Sequence, residues 1–275
     1  MILASSDCRS SAGTVTAARR VEVLEMAGPA ARAAAAEPVG PITAVYRSTL
    51  TVRCGTTPVN VGGTPVQAVC SMRVRPAELA GLRALPVGTP LHLDIRRALS
   101  QPMRLEARGM PAAFEPTICG TGASWFDSPP GRRFGRARLT AAAQALAADR
   151  EPDALLALCG LGIGLTPSGD DALIGMFALA QCAGIARSCQ AGCARRLTDG
   201  LSTDVSLCHL RLALGGEFSR PVTGLLDVLV ARDSSRREIR YATEAVARIG
   251  HSSGADLLAG MAALHTELTG GEERR

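Results

Sequence analysis

Short apolar runs rich in β-branched residues mark the region from residue 40 to about residue 119. The runs at 42–46, 50–54 and 66–70 are separated by Gly, Pro and Asn, which favour turns. At 91–95 the sequence Leu-His-Leu-Asp-Ile alternates apolar and polar positions, as a strand with one buried face does. This pattern predicts a small β-barrel or sandwich-like domain.

The pattern changes to helical spacing after a Pro- and Gly-containing segment at 125–131, which we interpret as a linker. The predicted helices are 137–148, 153–159, 172–183, 191–201, 204–214, 223–230, 236–248 and 255–268. We therefore expect an α+β chain, with a β-rich N-terminal domain over 1–120 and an all-α domain over 121–275.

The N-terminal residues carry a different pattern. Residues 1–13 are polar and rich in serine, and we expect them to be disordered. Ala, Arg and Glu are frequent over 15–36, which predicts a first helix there, interrupted at Gly28-Pro29.

The helical half contains an internal repeat. Residues 168–179 read Ser-Gly-Asp-Asp-Ala-Leu-Ile-Gly-Met-Phe-Ala-Leu, and eight of these twelve positions are identical at 253–264. Each copy places a turn containing Gly and Asp directly before an apolar stretch, which predicts a loop that leads into a buried helix. Helix N-termini offer unpaired N–H groups and partial positive charge. We therefore expect the two helix starts to converge on one pocket for an anionic ligand.

Composition and charge narrow the classes of function. Of the 275 residues, 47% are hydrophobic and only 3% aromatic, so the cores must be built mainly from Ala, Leu and Val. The net charge of +5 rests on arginine alone, because the chain has no lysine. The arginines are scattered and few aromatic residues accompany them, which argues against nucleic-acid binding and favours small anionic substrates. No secretion signal is recognisable, and no apolar run approaches the ~18 residues that a membrane helix needs.

The nine cysteines include no CxxC pair, which favours reduced thiols in the cytoplasm over a disulfide framework. Cys182, Cys189 and Cys193 fall at helical spacing, and with His209 they could form a zinc site. Buried thiols that pack as small apolar side chains are the favoured interpretation. We expect no metal and no other cofactor.

The densest group of polar residues is the segment 160–171, where glycines, hydroxyls and two adjacent acids precede a predicted helix. Its glycines allow the backbone to approach a ligand closely, but it matches neither a Walker loop nor a dinucleotide fingerprint. Ser168 and Asp171 have the spacing of a capping box, which is a purely structural alternative. Capping does not need Asp170, whose charge would be costly if buried unpaired, so this residue favours a ligand or a cation.

Two further groups complete the candidate site. His251 directly precedes the second copy and can act as acid, base or ligand, although a structural role is commoner for such a histidine. Thr203 and Ser206 lie on one face of a predicted helix, where hydroxyls often bond their own backbone. The candidate catalytic residues are Asp171, Asp256 and His251. The candidate substrate-binding residues are Gly164, Thr166, Ser168, Gly169, Asp170, Thr203, Ser206, Ser252, Ser253 and Gly254.

These motifs together resemble the AllH-like family, a subunit of bacterial oxamate carbamoyltransferase. The matching pieces are Gly-Leu-Thr-Pro-Ser-Gly-Asp-Asp at 164–171, Thr-Asp-Val-Ser at 203–206, Leu-Arg at 210–211, Gly-Glu-Phe at 216–218 and Gly-His-Ser-Ser-Gly-Ala-Asp at 250–256. The resemblance covers the helical half well and the β half loosely, around residues 40–47. The chain departs from the family pattern at two positions. It has Ile163 where a proline is expected in relatives, and His209 where relatives have an aromatic residue.

The resemblance implies a role in allantoin or purine nitrogen use, in which oxalurate and phosphate give oxamate and carbamoyl phosphate reversibly. By this hypothesis Thr166, Ser168 and Ser253 hold carboxylate or phosphate oxygens, and Asp171 and Asp256 accept N–H groups of the ureido group. His251 would then pass a proton to the departing nitrogen.

The implied partners are the other carbamoyltransferase subunits. Whether the chain also forms a homo-oligomer is left open. Two alternatives remain beside this hypothesis. One is a non-catalytic subunit that binds a small ligand or shapes an interface. The other is a metal-dependent amide or ureide hydrolase that uses Asp170, Asp171, Asp256 and His251.

Overall fold

The computed structural model describes residues 18–111 and 123–270, and the disorder predicted for residues 1–13 lies outside this range. The described part is α+β: a mixed sheet with two helices comes first, and a helical region follows. The strands are β1 (Arg19–Glu22), β2 (Glu25–Ala27), β3 (Val39–Val45), β4 (Thr49–Cys54), β5 (Thr57–Gly62), β6 (Ser71–Arg73), β7 (Pro90–Asp94) and β8 (Leu99–Gln101). The helices of this half are α1 (Gly28–Ala36) and α2 (Pro76–Arg83).

The sheet has the strand order β1-β7-β3-β4-β5-β6-β2-β8, and it curls into a half-barrel. Strands β1 and β2 are consecutive in the chain yet stand six strand positions apart. A flat sheet would separate them by roughly 29 Å at ~4.8 Å per strand, whereas the step from Glu22 to Glu25 spans at most ~11 Å. The link between them bonds to both sides of the curl, since Val23 N–H donates to the Asp94 carbonyl (3.0 Å) and Leu24 N–H to the Arg73 carbonyl (2.8 Å).

Two predictions in this half are wrong. Residues 19–27 form two strands instead of the first part of a helix, and α1 begins at Gly28-Pro29, because proline lacks the N–H that the first helical turn leaves unpaired. The segment 66–70 is a loop, and the strand lies earlier, at β5. Its Val59 and Val61 are fully buried, although Pro58 and Asn60 obscure the β pattern in the sequence.

The helical region begins with a 3-10 turn at Trp125–Asp127, so the segment interpreted as a linker is folded. Its helices are α3 (Pro129–Phe134), α4 (Arg136–Ala147), α5 (Asp153–Leu156), α6 (Ser168–Ala183), α7 (Arg187–Arg196), α8 (Asp204–Leu214), α9 (Arg220–Val230), α10 (Arg236–Ala247) and α11 (Ser253–Thr269). Eight of these helices were predicted, with ends that differ by at most five residues, whereas α3 begins in the segment interpreted as a linker. Among the described residues, no helix has both the length and the apolar character that crossing a membrane requires.

Helices α6 and α11 form the centre of this region and are buried on most faces. Each begins at the serine of one repeat copy. Gly175 faces the backbone of Leu257, and Gly260, the equivalent position of the second copy, faces the backbone of Ala172. Each contact joins the eighth residue of one copy to the fifth residue of the other, so the two helices run side by side from neighbouring starts.

The half-barrel packs against the helical region through backbone and side-chain contacts. Leu105 N–H donates to the Gly216 carbonyl and Phe218 N–H to the Met103 carbonyl, both at 2.8 Å. On α8, Asp204 forms an ion pair with Arg53 of β4 at 3.0 Å. These contacts fix α8, which supplies part of the candidate site, against the sheet.

Candidate functional site

The glycine after each repeat serine allows the preceding segment to pass close to the helix start. A Cβ on Gly169 would lie 2.0 Å from the Leu158 carbonyl oxygen, and one on Gly254 would lie 2.0 Å from the Val246 carbonyl oxygen. The N–H of Gly169 donates to the Leu161 carbonyl (2.8 Å), and that of Gly254 donates to the Ile249 carbonyl (2.9 Å). These two N–H groups, which the sequence assigned to a ligand, are therefore bonded within the protein.

The capping-box alternative for Ser168 and Asp171 is wrong. The N-cap of α6 is Pro167, and no side chain caps this helix end. Asp170 N–H and Asp171 N–H both donate to the Pro167 carbonyl, at 2.9 and 3.2 Å. Ser168 and Asp171 therefore do not form the reciprocal hydrogen bonds of a capping box, and both side chains face other residues.

Asp171 and Asp256 hold equivalent positions in the two copies and lie near each other across the helix pair. The Ser253 hydroxyl faces Asp171 and lowers its pKa, and the Ser168 hydroxyl does the same for Asp256. Each carboxyl is thus served by the serine of the other copy. The convergence of the two helix starts is present in the structure.

The Asp171 carboxyl is 5% exposed, and this burial raises its pKa from 3.8 to about 7. The Ser253 and Thr166 hydroxyls oppose the rise, and the charge of Asp256 adds to it. Thr166 Oγ1 and Ser253 Oγ are 3.0 Å apart, so the loop before α6 is bonded to the start of α11. Asp171 can gain or lose a proton near neutral pH.

Asp256 has a more polar setting. Its Oδ1 accepts hydrogen bonds from the Ser124 hydroxyl and the Trp125 N–H, each at 2.7 Å, and the nearby Ser252 hydroxyl also lowers its pKa. Burial raises the pKa of Asp256, and these hydrogen bonds oppose the rise. Ser124 and Trp125 were missed by the sequence analysis because they fall in and beside the supposed linker.

One oxygen of each central carboxyl is left over. Oδ2 of Asp171 and Oδ2 of Asp256 are buried and have no hydrogen-bond partner among the described residues. Buried acceptors in native proteins are nearly always satisfied, so two such oxygens in neighbouring carboxyls need an explanation. They are the feature of this site that a ligand with N–H groups would complement.

Asp170 has a different role from its neighbour. Its Oδ1 accepts the Gly160 N–H at 3.0 Å, and its Oδ2 accepts the Ser206 hydroxyl at 2.7 Å and the Ser202 hydroxyl. Burial raises the pKa of Asp170, and these bonds oppose the rise. The carboxyl ties the loop before α6 to α8, so its oxygens are taken by the protein.

Thr203 also holds this loop. Its hydroxyl donates to the Leu165 carbonyl and accepts the Ser206 N–H at 3.1 Å, which caps α8. Gly164, at the tip of the same loop, has a φ of +99° and open space around it, between the exposed side chains of Ile163 and Leu165. Gly164 therefore lies at the surface.

His251 lies exposed in the turn before α11, and the hydrogen bonds described for Asp171 and Asp256 do not include it. Among residues 18–111 and 123–270, no three His, Cys, Asp or Glu side chains form a group that could hold a metal ion. This holds for the set of Cys182, Cys189, Cys193 and His209 as well. Burial lowers the pKa of His209 to about 4.

Comparison with known proteins identifies a similar family. Residues 158–265 match the family model described as oxamate carbamoyltransferase subunit AllH, and the half-barrel lies outside this segment. No curated protein matches the chain, and no solved structure does. The matched segment holds the loop before α6, Asp171 and Asp256, and over these residues the chain is similar to the AllH family.

Proposed function

We propose that this chain is a subunit of an oxamate carbamoyltransferase-type complex, in which Asp171 and Asp256 hold the carbamoyl-bearing substrate. The family match supports a carbamoyltransferase-related subunit. The observation that carries the site assignment is the pair of buried, unpartnered Oδ2 atoms on two neighbouring carboxyls. Oxalurate presents a urea-like group whose N–H donors suit two such acceptors.

The proposed reaction breaks one C–N bond and forms one C–O bond. An oxygen of hydrogen phosphate attacks the carbamoyl carbon of oxalurate, and the bond from that carbon to the inner nitrogen breaks. The products are carbamoyl phosphate and oxamate. The proton that phosphate loses balances the proton that the departing nitrogen gains, so the step needs a group that can carry a proton between them.

Asp171 is suited to this transfer, because burial raises its pKa to about 7. Asp256 would stay the hydrogen-bond acceptor, since Ser124 and Trp125 donate to it. His251, the proton carrier suggested by the sequence, would act from the exposed turn before α11. Thr166, Ser168, Ser252 and Ser253 would supply the hydroxyls that orient the substrate.

Access to the two Oδ2 atoms requires a local rearrangement, because both are covered in the structure. The loop of residues 160–166 is the proposed moving part. Thr166 joins it to Ser253, and the glycines at 162 and 164 have positive φ. Substrate would replace the Thr166–Ser253 contact.

The test uses the complex reconstituted with its other subunits. Asp171→Asn and Asp256→Asn keep the side-chain shape and remove the charge, and each should lower carbamoyl transfer by about 100-fold or more. Asp199→Asn is the control, because that side chain is 91% exposed and should leave the rate unchanged. Unaltered turnover in both test variants, with their melting temperatures close to that of the parent protein, would exclude this site. His251→Gln, assayed in parallel, decides which group carries the proton.

A non-catalytic subunit is the second candidate, and a specific observation favours it. The N–H groups of Gly169 and Gly254 are bonded to backbone carbonyls, and Ile163 (82% exposed) and Leu165 (52% exposed) project from the neighbouring loop, as they would at a subunit interface. Calorimetric titration of the isolated chain with oxalurate, oxamate and carbamoyl phosphate separates the two. A catalytic subunit should bind at least one of them, with binding reduced in Asp256→Asn, whereas a scaffold should bind none.

A further inference from the structure

Two cysteines that are far apart in the chain meet where the half-barrel contacts the helical region. Cys70 Sγ and Cys208 Sγ are 3.8 Å apart, within hydrogen-bonding distance for thiols. Cys70 directly precedes β6 and is 3% exposed, while Cys208 lies in α8 and is half-buried. A disulfide would bring these two sulfurs to about 2.05 Å.

We propose that Cys70 and Cys208 are a reversible dithiol–disulfide pair that links the half-barrel to α8. The proposal is independent of the reaction that the complex catalyses. It departs from the expectation that the cysteines of this chain stay reduced. Five other described cysteines are free thiols: Cys54, Cys159, Cys182, Cys189 and Cys193.

The surroundings of the two thiols make them unequal. The hydrogen bond from Cys70 lowers the pKa of Cys208, burial opposes this, and the Arg211 guanidinium one turn further along α8 lowers it again. The same hydrogen bond and burial raise the pKa of Cys70 well above its ordinary value. Cys208 is therefore the thiol that ionises and is reached from solvent. Cys70 is the resolving thiol, which attacks the mixed disulfide formed at Cys208.

The oxidant in this proposal is a small disulfide such as oxidised glutathione. The Cys208 thiolate attacks one of its sulfurs, the S–S bond breaks, and one glutathione thiolate leaves. Cys70 then gives its proton to solvent and attacks the Cys208 sulfur of the mixed disulfide, which expels the second glutathione thiolate. The protein loses two electrons, and one oxidised glutathione becomes two reduced glutathiones.

The linkage would act on the candidate site through α8. This helix carries Ser206, which donates to Asp170, and begins after Thr203, which bonds the Leu165 carbonyl. The two cysteines are 138 residues apart, so a bond between them closes a long loop of chain. A long closed loop restricts the unfolded chain strongly, and the oxidised protein should melt at a higher temperature.

Peptide mapping tests the pair directly. The 275-residue chain is equilibrated anaerobically over a range of ratios of oxidised to reduced glutathione. The free thiols are then blocked, and the protein is digested with trypsin without reduction. Because the chain has no lysine, cleavage after arginine places Cys208 in the peptide 197–211 and Cys70 in the peptide 54–73. The second peptide also holds Cys54, so fragmentation must assign the linked sulfur.

We expect a Cys70–Cys208 linkage that appears and disappears with the glutathione ratio, together with a higher melting temperature. Cys70→Ala should retain glutathione on Cys208, whereas Cys208→Ala should take up none at Cys70. Cys159→Ala, which removes another half-buried thiol, should leave the linkage intact. Absence of the 70–208 linkage in fully oxidised glutathione, or linkage of Cys208 to Cys54 instead, would overturn the proposal.

Discussion

Gly175 in α6 lies so close to the carbonyl of Leu257 in α11 that a Cβ at this position would be 2.0 Å from the carbonyl oxygen. The reciprocal contact, between Gly260 and the Ala172 carbonyl, has the same distance. The obstacle in both cases is a backbone atom of a central helix, which cannot rotate away. Only glycine at these two positions lets the helices approach closely enough to bring Asp171 and Asp256 together.

Gly175→Ala should therefore lower the free energy of unfolding by about 1–3 kcal/mol, because the helices must separate to accept one methyl group. Gly260→Ala should have a similar effect. Gly224→Ala in α9 is the matched control, since its Cβ meets nothing within 4 Å. That variant should be unchanged or gain up to about 1 kcal/mol from helix propensity. Denaturant unfolding of the three variants checks this, and equal stabilities would show that the helix contact is looser than described.

Asp170 should contribute to the stability of the fold. Asp170→Ala leaves the Gly160 N–H and the Ser206 hydroxyl without their acceptor, and buried donors without partners cost about 1–3 kcal/mol each. We expect the free energy of unfolding to fall by about 2–4 kcal/mol and the Gly160 N–H to exchange faster. Asp199→Asn, in an exposed ion pair with Arg211, should cost less than about 1 kcal/mol. An Asp170→Ala protein with the same free energy of unfolding as the parent would contradict this assignment.

The sequence predicted the helical half well, because long segments with helical periodicity fix both element type and approximate bounds. The half-barrel was predicted less well. Its short strands carry few apolar residues each, as in β5, where only Val59 and Val61 interrupt a run of turn-forming residues. Their pairing depends on partners far along the chain, so the order of strands could not be derived from local pattern.

For the candidate site, the repeat predicted that the two helix starts would converge on one pocket. Asp171 and Asp256 do lie near each other, and a shared ligand pocket stays a prediction. The repeat did not distinguish Asp170 from Asp171, because adjacent residues on a helix point in different directions and their partners come from distant segments. Gly160 and Ser206 donate hydrogen bonds to Asp170, while Ser253 faces Asp171. Ser124 and Trp125 had no recognisable pattern, since a hydrogen bond to a carboxyl 131 or more residues away leaves no periodicity in the sequence.

Ser253→Ala should raise the pKa of Asp171 further. The Ser253 hydroxyl stabilises the carboxylate, so its removal favours the protonated form. Thr166→Val should shift the pKa in the same direction by a smaller amount, because its hydroxyl has the weaker effect. Carbon-13 NMR titration of the aspartate carboxyls measures the midpoints. Ser235→Ala, which removes a hydroxyl from the capping box of α10, is the control and should leave the Asp171 midpoint unmoved; a lower midpoint in Ser253→Ala would contradict the contact.

Asp171 should also make stability depend on pH. Its pKa is about 7 in the folded protein and near 3.8 when unfolded, so the folded state binds more protons between these values. The contribution of Asp171 to the free energy of unfolding is therefore complete below about pH 4. It falls as the pH rises to about 7, by at most about 4 kcal/mol. Asp170 and Asp256 have raised pKa values too, so the parent protein alone does not isolate the effect. Asp171→Asn cannot titrate, and the difference in unfolding free energy between parent and variant should change steadily from pH 4 to 7 and level off above it. A constant difference across this range would mean that Asp171 titrates as an ordinary exposed carboxyl.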